Sequence, residues 1–186
     1  MQLYSRVFLA IIASFLLSRC QQDHDRIDHC MGRKDAYFVG GTWVPYTIKG
    51  RRYVPQKCYS YDLIGTASWY GPMFHGKKTA SGQTYDQYKF TAAHRTLPIP
   101  SVVEVTNISE GKGYGRKVQV LITDRGPYVD GSNRIIDLSK AAFMQLDSTC
   151  KGVIKVRVRV LEAETKTLVL KMTSQPYTQK KTAQKK

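Results

Sequence analysis

The chain has 186 residues, with 29 Lys and Arg against 14 Asp and Glu, a formal net charge of +15. At 42% apolar and 23% charged residues, it is neither a multi-span membrane protein nor a disordered chain; one domain of roughly 100–150 residues leaves several tens for address signals and tails. So basic a chain is drawn to something anionic (nucleic acid, an acidic lipid surface or an acidic polymer), and charge alone does not choose among them.

The first predicted element is an export signal over residues 1–20. Arg6 precedes the apolar run Val7-Phe-Leu-Ala-Ile-Ile-Ala-Ser-Phe-Leu-Leu17. A bilayer span needs about 20 residues, so this run suits the core of a secretory signal instead. A buried helix is the competing reading. The run's terminal position, its lack of an amphipathic face and its abrupt polar end disfavour it. Leu17-Ser-Arg-Cys20 resembles a bacterial lipobox, which would lipidate Cys20, although Arg19 stands where such boxes carry a small residue. Conventional cleavage after Cys20 instead places Ser18 and Cys20 at the small-residue positions. Both routes lead outward, to the periplasm or cell envelope, and both stay open. Of the remaining Cys30, Cys58 and Cys150, an oxidising compartment allows one disulfide and one thiol. Cys58 and Cys150 flank the most patterned region and are the first pair to expect. No Cys or Cys/His spacing indicates zinc, so no metal is expected.

Residues 21–36 are polar and read as a flexible tether. Residues 37–62 are an extended lead-in of alternating aromatics punctuated by Gly and Pro, with a hairpin turn at Lys49-Gly50. From 63 to 162 the period is two. Val102–Asn107 reads as a strand, and Glu110–Gly113 as a turn. A second strand sets Val118, Val120 and Ile122 against polar neighbours, and a third sets Val156, Val158 and Val160 against Lys155, Arg157 and Arg159. One buried and one wet face per strand suits a small barrel. Ser139 is placed to N-cap a helix over Lys140–Leu146, with Leu138 and Phe143 spaced as a hydrophobic staple. Residues 163–186 read as a short strand over Lys166–Met172 followed by a Lys-rich disordered tail.

Five stretches exceed what packing requires: Gly65-Thr-Ala-Ser-Trp-Tyr-Gly71, Phe74-His-Gly-Lys-Lys-Thr-Ala-Ser-Gly82, Thr91-Ala-Ala-His94, Thr123-Asp-Arg-Gly-Pro127 and Arg134-Ile-Ile-Asp-Leu-Ser139. In this order they resemble the rare lipoprotein A family, bacterial envelope proteins described as septal ring lytic transglycosylases. The resemblance runs from about Tyr37 to Leu161. It implies a mainly β fold, a six-stranded double-psi β-barrel with one or two short helices. It also implies cleavage of peptidoglycan glycan strands with formation of 1,6-anhydromuramyl ends, and no cofactor. That reaction needs one acid/base group and support for an oxocarbenium-like state, but no second carboxylate to activate water.

Taken alone, Asp124 in Asp-Arg-Gly-Pro reads first as turn chemistry, and His94 as a satisfied core imidazole. The resemblance makes Asp124 the acid/base candidate and places His94 in the cleft, orienting Asp124 or a sugar hydroxyl. Trp69, Tyr70, Phe74 and Tyr128 are candidates for a sugar-stacking floor, with core packing the alternative for Trp69 and Phe74. Ser68, His75, Thr79, Arg125 and Asp137 are candidate substrate contacts, Asp137 serving equally well as a helix cap. Lys77-Lys78 reads as a solvated turn.

Gln83 departs from the family, whose members usually carry Glu there. Gln can hydrogen-bond a sugar but cannot carry a catalytic proton. If that carboxylate is indispensable, the protein is a non-catalytic, expansin-like peptidoglycan binder. If Asp124 does the proton work, activity survives, and a single acid/base suffices for ring closure. Fewer than thirty residues follow Leu161, too few for the peptidoglycan-binding repeat domain that often ends family members, which puts septal targeting by that route in doubt. The expected partner is peptidoglycan and the expected state a monomer. Nucleic acid is not expected, since the chain is exported and lacks a ribonucleoprotein-like or DNA-reading motif.

Overall fold

Strict alternation of valine with basic residues builds the longest strands. In the computed structural model, which describes residues 37–56, 59–129 and 133–174, Val153–Val160 buries Ile154, Val156, Val158 and Val160 and exposes the residues between them. The expected signal, tether and Lys-rich tail, with Cys20, Cys30 and Cys58, lie outside the described residues. Cys150, expected to pair with Cys58, is an exposed free thiol.

The described residues form eight strands in chain order: β1 (Tyr46–Ile48), β2 (Arg51–Tyr53), β3 (Asp62–Trp69), β4 (Thr91–His94), β5 (Ser101–Asn107), β6 (Lys117–Asp124), β7 (Arg134–Leu138) and β8 (Val153–Val160). The last six close into a barrel in the order β3-β7-β4-β6-β5-β8. The architecture is thus the six-stranded barrel that the resemblance implies. Closure leaves no open sheet edge and lines the interior with Val103, Val105, Val120, Ile122, Ile136 and Leu138.

Four of the six contacts are antiparallel, and two, β3–β7 and β4–β6, are parallel. Each parallel contact carries one extra residue on its later strand. Ala92 pairs with Ile122 but Ala93 with Asp124, so Thr123 is extra. Likewise Thr66 pairs with Arg134 but Ala67 with Ile136, so Ile135 is extra. Such irregularities re-aim the side chains that follow them, and Asp124 and Asp137 follow these two.

The expected helix forms as α1 (Lys140–Leu146). The Ser139 hydroxyl accepts from Ala142 N at 3.2 Å, and Leu138 and Phe143 are both fully buried. The strand expected over Lys166–Met172 does not form; Glu162–Thr173 is helix α2. A closed barrel offers no edge for a seventh strand. Glu162 and Glu164 in the first turn favour the helix dipole, and Glu162 pairs with Lys166 one turn on. Thr165 docks the helix by accepting from Val102 N at 2.9 Å.

The lead-in is a hairpin, β1 against β2. Its two turn residues, Lys49 and Gly50, both have positive φ, the backbone of a two-residue hairpin turn. It rests on the segment after β4: Val39 N donates to Ile99 O, Gln56 N to Thr96 O, and the Tyr46 hydroxyl to Arg95 O, each at 2.7 Å.

Candidate active site

Strand register places two carboxylates at one level. Ala93 on β4 is the partner of Asp124 on β6 and of Asp137 on β7. With strands spaced about 4.8 Å, the two Asp backbones stand about 10 Å apart across Ala93. The residue between them is small, and its neighbour Gly126 has φ +139, with an added Cβ 3.7 Å from that of Ala93. A side chain at Gly126 would meet a disfavoured backbone and narrow this floor.

The two aspartates line a groove of about 430 Å³. Tyr70 forms an aromatic wall with Phe74 and Tyr85, ring centroids 5.5 and 4.8 Å from its own, and Tyr128 lines the groove as well. Lys77 and Lys78 also line the groove, so they belong to the site and not merely to a solvated turn.

Asp124 is held by three donors. Its Oδ1 accepts from Ala80 N at 2.9 Å and from Arg125 N at 2.8 Å; its Oδ2 accepts from the Tyr70 hydroxyl at 3.2 Å. Burial raises the Tyr70 pKa, and the nearby Asp124 and Asp137 charges raise it further, so this phenol stays a donor. Asp137 accepts from the Ser68 hydroxyl and lies 3.1 Å from Arg134 Nε. Burial raises its pKa, opposed by the Ser68 hydrogen bond and by the Arg134 and Arg95 charges. Its side chain faces the groove rather than capping α1, a role Ser139 fills.

Several expected site residues lie elsewhere. His94 is 3% exposed and outside the groove lining. Its Nδ1 accepts from Thr96 N at 3.1 Å and Leu97 N at 3.0 Å, leaving Nε2 to donate to the Tyr61 hydroxyl at 2.9 Å. Both ring nitrogens are engaged, so His94 contacts neither Asp124 nor the groove; it is the core imidazole that its residue type first suggested. Arg125 lines the groove, and its guanidinium donates to Leu97 O at 2.6 Å, His94 O at 3.2 Å and Thr42 O at 2.7 Å, a clamp on three segments.

Trp69 packs against the core and donates to Thr149 O at 3.3 Å, so it leaves the stacking floor. The Thr79 hydroxyl is buried and donates to Gln83 O. Gln83 itself is exposed and outside the groove lining. His75 accepts from Gln87 N at 3.3 Å and stands beside Tyr88. Tyr85, the Ala80 N–H and Tyr61 were not singled out by sequence; nothing in spacing or composition marks a backbone donor or a lone tyrosine. Among the described residues, no group of His, Cys, Asp or Glu converges on a point that would hold a metal ion.

A family model described as lytic transglycolase matches residues 63–158. A Campylobacter jejuni protein named endolytic peptidoglycan transglycosylase RlpA is 48% identical over 122 residues, covering 65% of this chain and 42% of that one. A Pseudomonas aeruginosa protein of the same name is 48% identical over 119 residues, 63% of this chain and 33% of its own. A third of that name, from Vibrio cholerae, is 34% identical over 178 residues, covering 86% of this chain and 65% of its own. The chain spans less than half the length of the first two relatives.

Proposed function

The chain belongs to this lytic transglycolase family, and from that premise we propose that it cuts peptidoglycan glycan strands without water, leaving 1,6-anhydromuramyl ends. The observation that carries this reading is that Asp124 lines the groove, with Oδ1 held by two donors and Oδ2 by one. Oδ1 is occupied by two backbone N–H groups, which leaves Oδ2, beside the Tyr70 hydroxyl, to carry the proton.

In the forward step, that proton passes to the oxygen joining N-acetylmuramic acid to N-acetylglucosamine, and the C1–O bond breaks. The carboxylate formed then accepts the proton of the muramyl 6-hydroxyl as its oxygen bonds to C1. One group thus serves as acid and then as base, and water takes no part. The Tyr70–Phe74–Tyr85 wall stacks a sugar ring, and Asp137 accepts from a sugar hydroxyl. Gln83 is exposed and does not line the groove, so the proton is assigned to Asp124, and one acid/base group suffices for ring closure. The cell envelope is the fitting location, with Cys20 as the anchor if it is lipidated.

Purified protein incubated with peptidoglycan stripped of stem peptides should release 1,6-anhydro products, read by mass spectrometry. Asp124→Asn should lower their rate at least about a hundredfold, the ordinary contribution of a general acid, while leaving strand binding intact. Wild-type protein that binds strands without forming anhydro ends would overturn the enzymatic reading. An undiminished Asp124→Asn rate would remove Asp124 from the acid role.

A further inference from the structure

The lead-in hairpin lies outside the segment matched by the family model, residues 63–158, yet it abuts the groove. Tyr128, a groove-lining residue, donates its hydroxyl hydrogen bond to the Tyr46 hydroxyl at 3.1 Å. The rings of Tyr46, Tyr53 and Tyr128 pack with centroids 5.3 to 6.2 Å apart. The Arg125 side chain, also on the groove, binds Thr42 O at 2.7 Å. The residue after Thr42 is Trp43.

The turn that carries Trp43 is pinned. Thr42 Oγ1 donates to Val39 O at 2.8 Å and Val44 N donates to Gly41 O at 3.1 Å, while Val39 N is bonded to the barrel segment at Ile99. Even so, the indole is 57% exposed and Val44 beside it 46%. A large, flat apolar ring on a fixed turn contributes little to packing here, and the lead-in that carries it is tied to two groove-lining residues, to Arg125 through Thr42 O and to Tyr128 through Tyr46. An aromatic face without charge, carrying one N–H at its edge, suits the apolar face and hydroxyl rim of a pyranose.

We propose that the lead-in adds a carbohydrate-stacking subsite at the Tyr128 end of the groove, with Trp43 as its platform and the Tyr46–Tyr53–Tyr128 cluster as its rigid support. This rests on the glycan-strand reading above. The subsite takes a neutral pyranose unit of the strand beyond the point of cleavage, so it reads strand length rather than the reacting linkage.

The chain contains two tryptophans, Trp43 and Trp69, and only Trp43 is exposed; Trp69 packs against the core. Tryptophan emission therefore reports on the subsite. Titration with stem-peptide-free strands long enough to overrun the groove should shift the emission of wild-type protein, and the disaccharide should not. Trp43→Ala should abolish the shift and weaken long-strand binding about tenfold, equivalent to about 1.4 kcal/mol, with disaccharide binding and thermal midpoint unchanged. Trp43→Tyr should restore most of the affinity.

Long-strand affinity unchanged in Trp43→Ala overturns the subsite, as does an equal loss for disaccharide and long strands. Anhydro products are measured in parallel. A Trp43-dependent affinity without anhydro products would leave the subsite standing and remove the enzymatic reading. Anhydro products with no Trp43 effect would do the reverse. Wild-type protein that binds no strand removes both.

Discussion

His94 illustrates how a single buried side chain ties pH to stability. Burial holds its pKa down to about 3, and the Arg95 and Arg125 charges act in the same direction. Two backbone N–H groups aimed at Nδ1 leave no place for a second ring proton. An unfolded imidazole titrates near 6.5, so between that value and about 3 the unfolded chain binds a proton the native one refuses. The stabilisation is therefore complete above about pH 6.5 and is lost as pH falls toward 3, by up to about 1.4 kcal/mol per pH unit. Denaturant unfolding between about pH 6.5 and 5, above the usual carboxylate range, should show this slope in wild-type protein. His94→Gln should be less stable at neutral pH but nearly flat over that interval; equal slopes would refute the assignment. This residue also shows the limit of sequence reading. Thr-Ala-Ala-His identifies a conspicuous imidazole, but only the path of residues 96 and 97 around it decides that it faces inward. Asp124 became a candidate through the resemblance, since its motif taken alone reads as a turn. Its donors were not legible, because two are backbone N–H groups whose positions no residue type encodes.

Elements with a strong local signal formed as expected: β5, β6 and β8 by alternation, and α1 by its Ser139 cap. The short β7 has only five residues, too few to display a period, and α2 has only Thr165 buried, so no helical stripe announces it. The extra residues on β6 and β7 are invisible in sequence because they exist only relative to a partner strand. One of them yields a test. Ile135, the extra residue of β7, packs on Gly65 of β3, where an added Cβ would stand 2.7 to 2.9 Å from three of its side-chain carbons. Gly65→Ala should overpack this contact and destabilise the barrel by about 1–3 kcal/mol. Combining it with Ile135→Ala should recover part of that loss, because the two substitutions share one space. Additive losses in thermal or denaturant unfolding would show that Ile135 is not the obstacle.

For the whole molecule, the +15 charge chooses no partner, and the barrel turns part of its outer charge on itself through Arg157–Asp62 and Arg159–Glu104 pairs. One cation, Arg125, bridges the lead-in and the barrel beside the hydrogen bonds of Tyr46, Gln56 and Val39. Arg125 reaches carbonyl oxygens of the lead-in, of β4 and of the loop after it, a fork that a lysine ammonium cannot reproduce. Each buried carbonyl left without its donor costs about 1–3 kcal/mol. Arg125→Lys should therefore loosen the lead-in while the Arg125 backbone N–H still holds Asp124 Oδ1. Lys49, Arg51 and Arg52 are exposed in the hairpin, so limited trypsin digestion reads the opening directly. A shift of about 1.4 kcal/mol in local opening should speed cleavage there about tenfold, with barrel sites cut no faster. Unchanged hairpin cleavage would mean that the Tyr46 and Gln56 hydrogen bonds suffice and that Arg125 serves only the loop. Faster cleavage with a parallel loss of long-strand affinity would make one arginine the link between the strand's path over the lead-in and the acid beneath it.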